Sequence, residues 1–231
     1  MANRYPLVID TLDANKIKEL QTGDNLNLAD NSIVGVQNIT ALGTIEAAVI
    51  TVQGNRLVAQ NFLNLSDIKA TQLNKILTRA TYLKKLRKKN KNSLSLKNIN
   101  LAMIFEKPST RTRVSFELAI KELGGRSVIL DEATTHLSRG ETIPDTAKVL
   151  SKYCNILMIR TTNHKKLIEY HRHSKLPIIN GLSNISHPCQ ILADIMAYNE
   201  KRGAIKNKKF VWLGDLNNVL YSWIEASVIF N

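Results

Sequence analysis

Apolar positions change their period several times along this chain, and each change marks an element. Leu101-Ala102-Met103-Ile104-Phe105 is an unbroken apolar run of strand length, the pattern of a strand buried on both faces. After a polar break, Phe116, Ile120 and Leu123 recur at i, i+4, i+7 with Val114 and Leu118 beside them. That spacing predicts an amphipathic helix, stopped by Gly124-Gly125. Strand and helix signals then alternate. Residues 127–130 predict a strand, 145–153 a helix opened by Pro144, 155–160 a strand, 164–172 a helix and 177–180 a short strand. Pro188 opens a helix carrying Leu192, Ile195 and Met196 that ends before Gly203, and residues 210–214 start one more unit. Upstream, Ser66 is placed to N-cap a helix whose stripe is Ile68, Leu73, Ile76, Leu77 and Leu83. Alternation of this kind predicts an α/β fold: a mostly parallel sheet flanked by helices, with ligands beyond the carboxyl ends of the strands.

Residues 1–55 have a different character. They carry three basic against six acidic residues, a net −3, so the chain total of +13 leaves +16 for the remainder. Ile33-Val34-Gly35-Val36, Ile39-Thr40 and Val49-Ile50-Thr51-Val52 are short β-prone runs separated by Gly and Asn. Their apolar surface is too small for an independent core. The segment is weakly similar to the opening of phage virion or tail-fibre proteins, and a poorly ordered extension fits it equally.

Composition narrows the class. Hydrophobic content of 44% with 22% charged residues is that of a globular domain. No apolar run approaches the ~20 residues that span a bilayer, so no membrane is expected. The amino terminus has no apolar h-region, and a cytoplasmic protein is expected. Cys154 and Cys189 stand far apart and form neither a disulfide framework nor a metal motif. The charge of +13 raises nucleic acid as a partner, and Lys84-Lys85-Leu86-Arg87-Lys88-Lys89-Asn90-Lys91 is its densest run. Without aromatic interleaving that run reads as a solvated helix end and loop, which argues against nucleic acid. A positive field also helps to attract anionic substrates.

Candidate chemistry gathers where strands give way to helices. Ser109-Thr110-Arg111-Thr112-Arg113 follows the first buried strand at a predicted helix start, where free N–H groups and the dipole favour an anion. Arg111 adds a bidentate fork that matches phosphate oxygens. Arg160 closes a second strand, where a phosphate ligand and an ordinary surface arginine fit equally well. In His187-Pro188-Cys189-Gln190 the proline takes the first helical position, so His187 and Gln190 face a crevice beside a helix start. The positive helix end biases the imidazole towards its neutral form. Cys189 reads as a packed small residue rather than a nucleophile, and His171-Arg172-His173 as surface. At Gly214-Asp215-Leu216-Asn217-Asn218, side-chain amides at a strand–helix junction suit an amino acid's ammonium and carboxylate.

Phe105-Glu106-Lys107-Pro108-Ser109-Thr110-Arg111-Thr112-Arg113-Val114-Ser115-Phe116-Glu117 resembles the phosphate loop of the aspartate and ornithine carbamoyltransferase family. Ile159-Arg160-Thr161 and His187-Pro188-Cys189-Gln190 are similar to two further family motifs. Asn217-Asn218 followed by Ser222-Trp223 looks like the ornithine branch rather than the aspartate branch. Phe62-Leu63-Asn64-Leu65-Ser66-Asp67 is similar to the start of the ornithine enzymes, so the resemblance runs from about there to the carboxyl terminus.

The resemblance implies transfer of a carbamoyl group from carbamoyl phosphate to the δ-amino group of L-ornithine, without a metal or organic cofactor. It places Ser109, Thr110, Arg111, Thr112 and Arg160 on the phosphate. Arg111, Thr112 and His187 would polarise the carbonyl oxygen, with Arg111 and His187 as the catalytic pair; Gln190 would meet the carbamoyl nitrogen, and Asn218 ornithine. Leu137-Ser138-Arg139-Gly140-Glu141-Thr142 resembles the family loop that reaches a neighbouring subunit's site, which implies a homotrimer. His136 sits where many relatives carry glutamine, and is the one departure among the expected carbamoyl-phosphate contacts.

The implied division is 1–55 as an extension, 56–204 as the carbamoyl-phosphate domain and 205–231 as the start of an ornithine domain. The family's later ornithine-recognition stretches do not occur before Asn231. Little or no turnover by this chain alone is therefore expected, with apolar surface left exposed after residue 210. The competing expectation is a structural or interaction protein, a phage-like fusion carrying an inactive carbamoyltransferase fragment.

Overall fold

The computed structural model describes residues 61–91, 93–131 and 140–230, with the strand pairs Leu7–Val8 (β1), Val52–Gln53 (β2) and Arg56–Leu57 (β3). The remaining β-prone runs of the amino-terminal extension, and His136 with Leu137-Ser138-Arg139, lie outside the described residues. Four strands form one parallel sheet in the order β5-β4-β6-β7. They are β4 (Asn100–Phe105), β5 (Arg126–Asp131), β6 (Ile156–Arg160) and β7 (Ile178–Leu182). Each connection is a helix: α2 (Thr110–Glu122) joins β4 to β5, α3 (Ile143–Tyr153) joins β5 to β6, and α4 (His164–His173) joins β6 to β7. Helix α1 (Ala70–Lys88) precedes the sheet, and α5 (Pro188–Arg202) and α6 (Asn218–Ile229) follow it.

Strand pleating explains the two cores. Leu101, Met103, Phe105, Ile156 and Met158 point to one face, against α1, α2, α5 and α6. Ala102, Ile104, Leu157 and Ile159 point to the other, against α3 and α4. The expected sheet with helices on both faces is what forms. Because the chain runs outward from β4 to β5 and then crosses back to β6, the topology reverses between β4 and β6. Such a reversal opens a crevice at the carboxyl ends of those strands.

Several local expectations need correction. Ser66 does not cap α1. That helix starts at Ala70 after Lys69, and Ser66 lies in a 3-10 turn, Leu65–Asp67. The Ser66 hydroxyl instead donates to Glu225 Oε1 at 2.8 Å, a tertiary partner that no local pattern announces. Val114 and Leu118 lie off the buried stripe of α2, 36% and 39% exposed, because Thr112, Ser115, Phe116, Ala119 and Ile120 fill the inner face. Residues 210–211 form β8 (Phe210–Val211), which pairs antiparallel with β1 instead of extending the parallel sheet.

The glycine stop of α2 is a Schellman turn. Gly124 has φ +85° and donates to Lys121 O at 3.0 Å, while Gly125 N–H reaches Ile120 O at 2.9 Å. The second glycine is needed for space, since a Cβ at Gly125 would lie 2.8 Å from the Ile99 carbonyl oxygen and 2.7 Å from Ile120 Cδ1. Gly125→Ala is therefore expected to destabilise the chain by about 1–3 kcal/mol, read as a lower thermal midpoint. An unchanged midpoint would contradict this packing.

Residues 205–230 share the core of the rest: Ile205, Trp223 and Ala226 belong to the same buried cluster as Phe62 and Met103. Leu213, Leu216, Tyr221, Ile224 and Val228 lie exposed on this segment. No described helix is long and apolar enough to cross a membrane.

Candidate active site

The crevice is built from three chain turns. The first is the β4–α2 junction. Phe105 ends β4 and is paired with Arg160 at the end of β6. Ser109, half-buried, is the N-cap residue of α2, although its side chain makes no capping bond. Thr110 and Arg111 are exposed and Thr112 is buried. The first N–H groups of α2 are thus directed at the crevice with the positive end of the helix dipole behind them.

The second turn is the end of β6. Arg160 donates from Nη1 to Thr112 Oγ1 at 3.2 Å, reaching from the end of β6 to the first turn of α2. Its Nε is buried with no hydrogen-bond partner. Burial, and then the charge of Arg111, pull the Arg160 pKa below its ordinary value, although a guanidinium stays protonated. Two like charges, one of them largely desolvated, are held together at a helix amino terminus. The arrangement is unfavourable by itself and suits a doubly charged anion.

The third turn follows β7. His187 is the N-cap residue of α5, buried, with Pro188 at the first helical position. Its backbone N–H donates to Ser222 Oγ at 2.9 Å, and its Nδ1 has no partner. Burial first, and then the nearby Arg160 charge, push its pKa down to about 3. His187 is therefore a neutral imidazole at every physiological pH, able to donate one hydrogen bond. The helix dipole expected to bias it is not the leading cause; desolvation is. Gln190, one turn on, is half-buried and donates from Nε2 to Asp194 Oδ1 at 2.8 Å. Cys189 is fully buried.

The structure brings Arg111, Thr112, Arg160 and His187 into one electrostatic unit. Asn218 stands at the opening of α6, where its Nδ2 donates to Ser183 O at 2.7 Å, and Asn217 caps the helix through Val219 N and Leu220 N. Cys154, His171 and His173 play no part here. Among the described residues no cluster of His, Cys, Asp or Glu has the grouping of a metal site.

Some residues at the site carried no role in the sequence reading. Glu106 accepts from Thr161 Oγ1 at 2.5 Å, Thr162 N at 3.1 Å and Lys166 Nζ at 2.6 Å. Burial raises its pKa, but the bonds from Lys166, Thr161 and Thr162 outweigh this and hold it below the usual carboxylate value. Glu106 thereby ties the β4 end to the loop after β6. Asn180, fully buried, donates to Leu63 O and Ser186 Oγ and accepts from Leu182 N, which shapes the loop leading to His187. Position inside a motif could have flagged Glu106. The i+4 spacing from Gln190 could have flagged Asp194.

Residues 60–200 match the family model described as "Aspartate/ornithine carbamoyltransferase, carbamoyl-P binding domain". The chain belongs to this family. An ornithine carbamoyltransferase of Rhizobium meliloti (strain 1021) is 49% identical over 173 residues, which is 75% of this chain and 57% of that protein. The solved ornithine carbamoyltransferase of Burkholderia thailandensis E264 superposes with a TM-score of 0.71 at 43% identity, covering 74% of this chain and 59% of that one. Aspartate transcarbamoylase from Trypanosoma cruzi, solved with carbamoyl phosphate and aspartate, has a TM-score of 0.68 at 22% identity, covering 73% of this chain and 57% of that one; at this identity the likeness shows the fold alone. The chain spans little more than half the length of the relatives it matches. The carbamoyltransferase fold covers the described parallel sheet.

Proposed function

We propose that the crevice between β4 and β6 binds carbamoyl phosphate and serves carbamoyl transfer to L-ornithine. The observation that carries this reading is the half-buried Arg160 guanidinium with its buried Nε. Its Nε is unpartnered, it is set against Arg111 and Thr112 at a helix start, and neutral His187 lies beside it. A phosphate held by Arg111, Arg160, Ser109, Thr110 and Thr112 offsets the two crowded cations. Its carbamoyl oxygen then meets Arg111, Thr112 and the His187 N–H, and Gln190 faces the carbamoyl nitrogen. The δ-amino group of ornithine, oriented through Asn218, attacks the carbonyl carbon. The new C–N bond forms as the C–O bond to phosphate breaks; the bonding pair leaves with phosphate, and the departing phosphate takes up the proton that the amine loses. Donors fixed in advance around the developing charge supply the acceleration. In this reading the protein works as a cytoplasmic homotrimer, with residues 137–142 reaching a neighbour's crevice.

Calorimetric titration of the whole chain with carbamoyl phosphate, beside Arg111→Ala, tests the reading independently of turnover. Saturable binding is expected, weakened by about 10–100-fold in the variant, the cost of losing a charged bidentate donor. No saturable binding by the folded chain, or equal affinity in the variant, would overturn it.

A further inference from the structure

An amide side chain is ambiguous as a substrate contact, because it can present either its oxygen or its NH2. The carbamoyl group poses the matching problem. Its oxygen seeks donors, which Arg111 and neutral His187 supply, and its nitrogen carries two N–H groups that seek an acceptor. Gln190 can answer only if its oxygen is the end that faces the crevice.

Asp194 lies one helical turn beyond Gln190 on α5, only 3% exposed, with its Oδ1 2.8 Å from Gln190 Nε2. A buried carboxyl group is costly, and this one sits immediately behind the crevice. An Nε2 engaged with a carboxyl oxygen cannot turn towards the substrate, so Oε1 is the atom left free. Nearby, His187 and Pro188 start the same helix, which fixes the position of Gln190 relative to the imidazole.

Resting on the carbamoyl-phosphate reading, we propose that Asp194 is a positioning residue that locks the Gln190 amide with Oε1 towards the crevice, and so makes the site select a carbamoyl over an acetyl group. Acetyl phosphate carries the same phosphate and carbonyl oxygen but a methyl group in place of the NH2. A locked Oε1 rewards the amide and is left unpaired against the methyl. Burial pushes the Asp194 pKa up to about 7, with the Gln190 bond opposing it. The ionised carboxylate can only accept and so fixes the amide; the neutral acid keeps an accepting carbonyl oxygen for Gln190 Nε2, as the structure shows it, but can also donate.

The test is titration of the full chain with carbamoyl phosphate, acetyl phosphate and inorganic phosphate, for wild type, Asp194→Leu and Asp194→Asn. Wild type is expected to prefer carbamoyl over acetyl phosphate by about 10-fold, the scale of one hydrogen bond left unmade. Asp194→Leu fills the buried space without an acceptor, and is expected to lose that preference while binding inorganic phosphate as wild type does. Asp194→Asn keeps an oxygen for Gln190 Nε2 and is expected to restore the preference. A preference retained in Asp194→Leu, or lost together with phosphate affinity in a folded variant, overturns the inference and leaves the carbamoyl-phosphate reading standing. Absence of binding by wild type to all three ligands overturns both. Should Asp194→Leu fail to fold, side-chain amide exchange in the wild-type chain decides: a protected Gln190 Nε2 proton supports the lock, and rapid exchange of both protons overturns it.

Discussion

Arg160→Leu is expected to lower carbamoyl-phosphate affinity by about 100-fold, the scale of losing charge-assisted bonds in a desolvated site. The same substitution is expected to leave the thermal midpoint unchanged or raise it. This combination follows from where the guanidinium sits. It is half-buried and beside Arg111, and among the described residues its side-chain bond is to Thr112 Oγ1 at 3.2 Å, with the buried Nε unpartnered. Removing it relieves a like-charge contact and a desolvation cost, and loses one modest hydrogen bond. A surface arginine would behave differently, with little change in either quantity. An arginine that holds strand ends together would lose stability along with affinity. Titration and thermal melting on one preparation separate the three cases, and a marked fall in midpoint would contradict the anion-binding assignment.

The second large effect is on stability against pH. His187 has its pKa pushed down to about 3 from an ordinary 6.5, so between those values the unfolded chain takes up a proton that the folded chain refuses. Its contribution is present above pH 6.5 and is lost as pH falls. Asp194 is the mirror case: its pKa is pushed up to about 7 from 3.8, so the folded chain holds a proton that the unfolded chain releases. Its contribution is present at low pH and is lost as pH rises towards 7. Between about pH 4 and 6.5 the two slopes oppose each other, each up to about 1.4 kcal/mol per pH unit. Relative to wild type, His187→Asn should gain stability as pH falls through this window, and Asp194→Asn should lose it. Chemical denaturation across the window checks both signs. Parallel pH profiles for wild type and both variants would show that neither group is buried as described.

Much of the parallel sheet could be read from period alone, because β4 and β6 are buried on both faces and carry unbroken apolar runs. The candidate site was legible where its residues sit in contiguous motifs, as at Ser109–Thr112 and His187–Gln190, since a strand–helix junction marks a candidate anion site without tertiary knowledge. What stayed hidden depends on partners distant in sequence. Ser66 has every local property of a helix cap, yet its hydroxyl is taken by Glu225, 159 residues away. Val114 and Leu118 fit an apolar stripe by composition, but α2 turns Thr112 and Ser115 inward instead, because the inner face must also reach Arg160. The cause of the His187 shift was equally out of reach, since burial is a property of the assembled fold.

Helix α6 holds the surrounding chain at several points along its length. Asn218 holds the Ser183 carbonyl, Ser222 accepts from the His187 N–H, and Glu225 accepts from Leu65 N and Ser66 Oγ. The loop that presents the imidazole is therefore hung from α6 at both of its ends. The Ser183 carbonyl and the His187 backbone thus share one anchor, so the placement of the imidazole depends on the placement of α6.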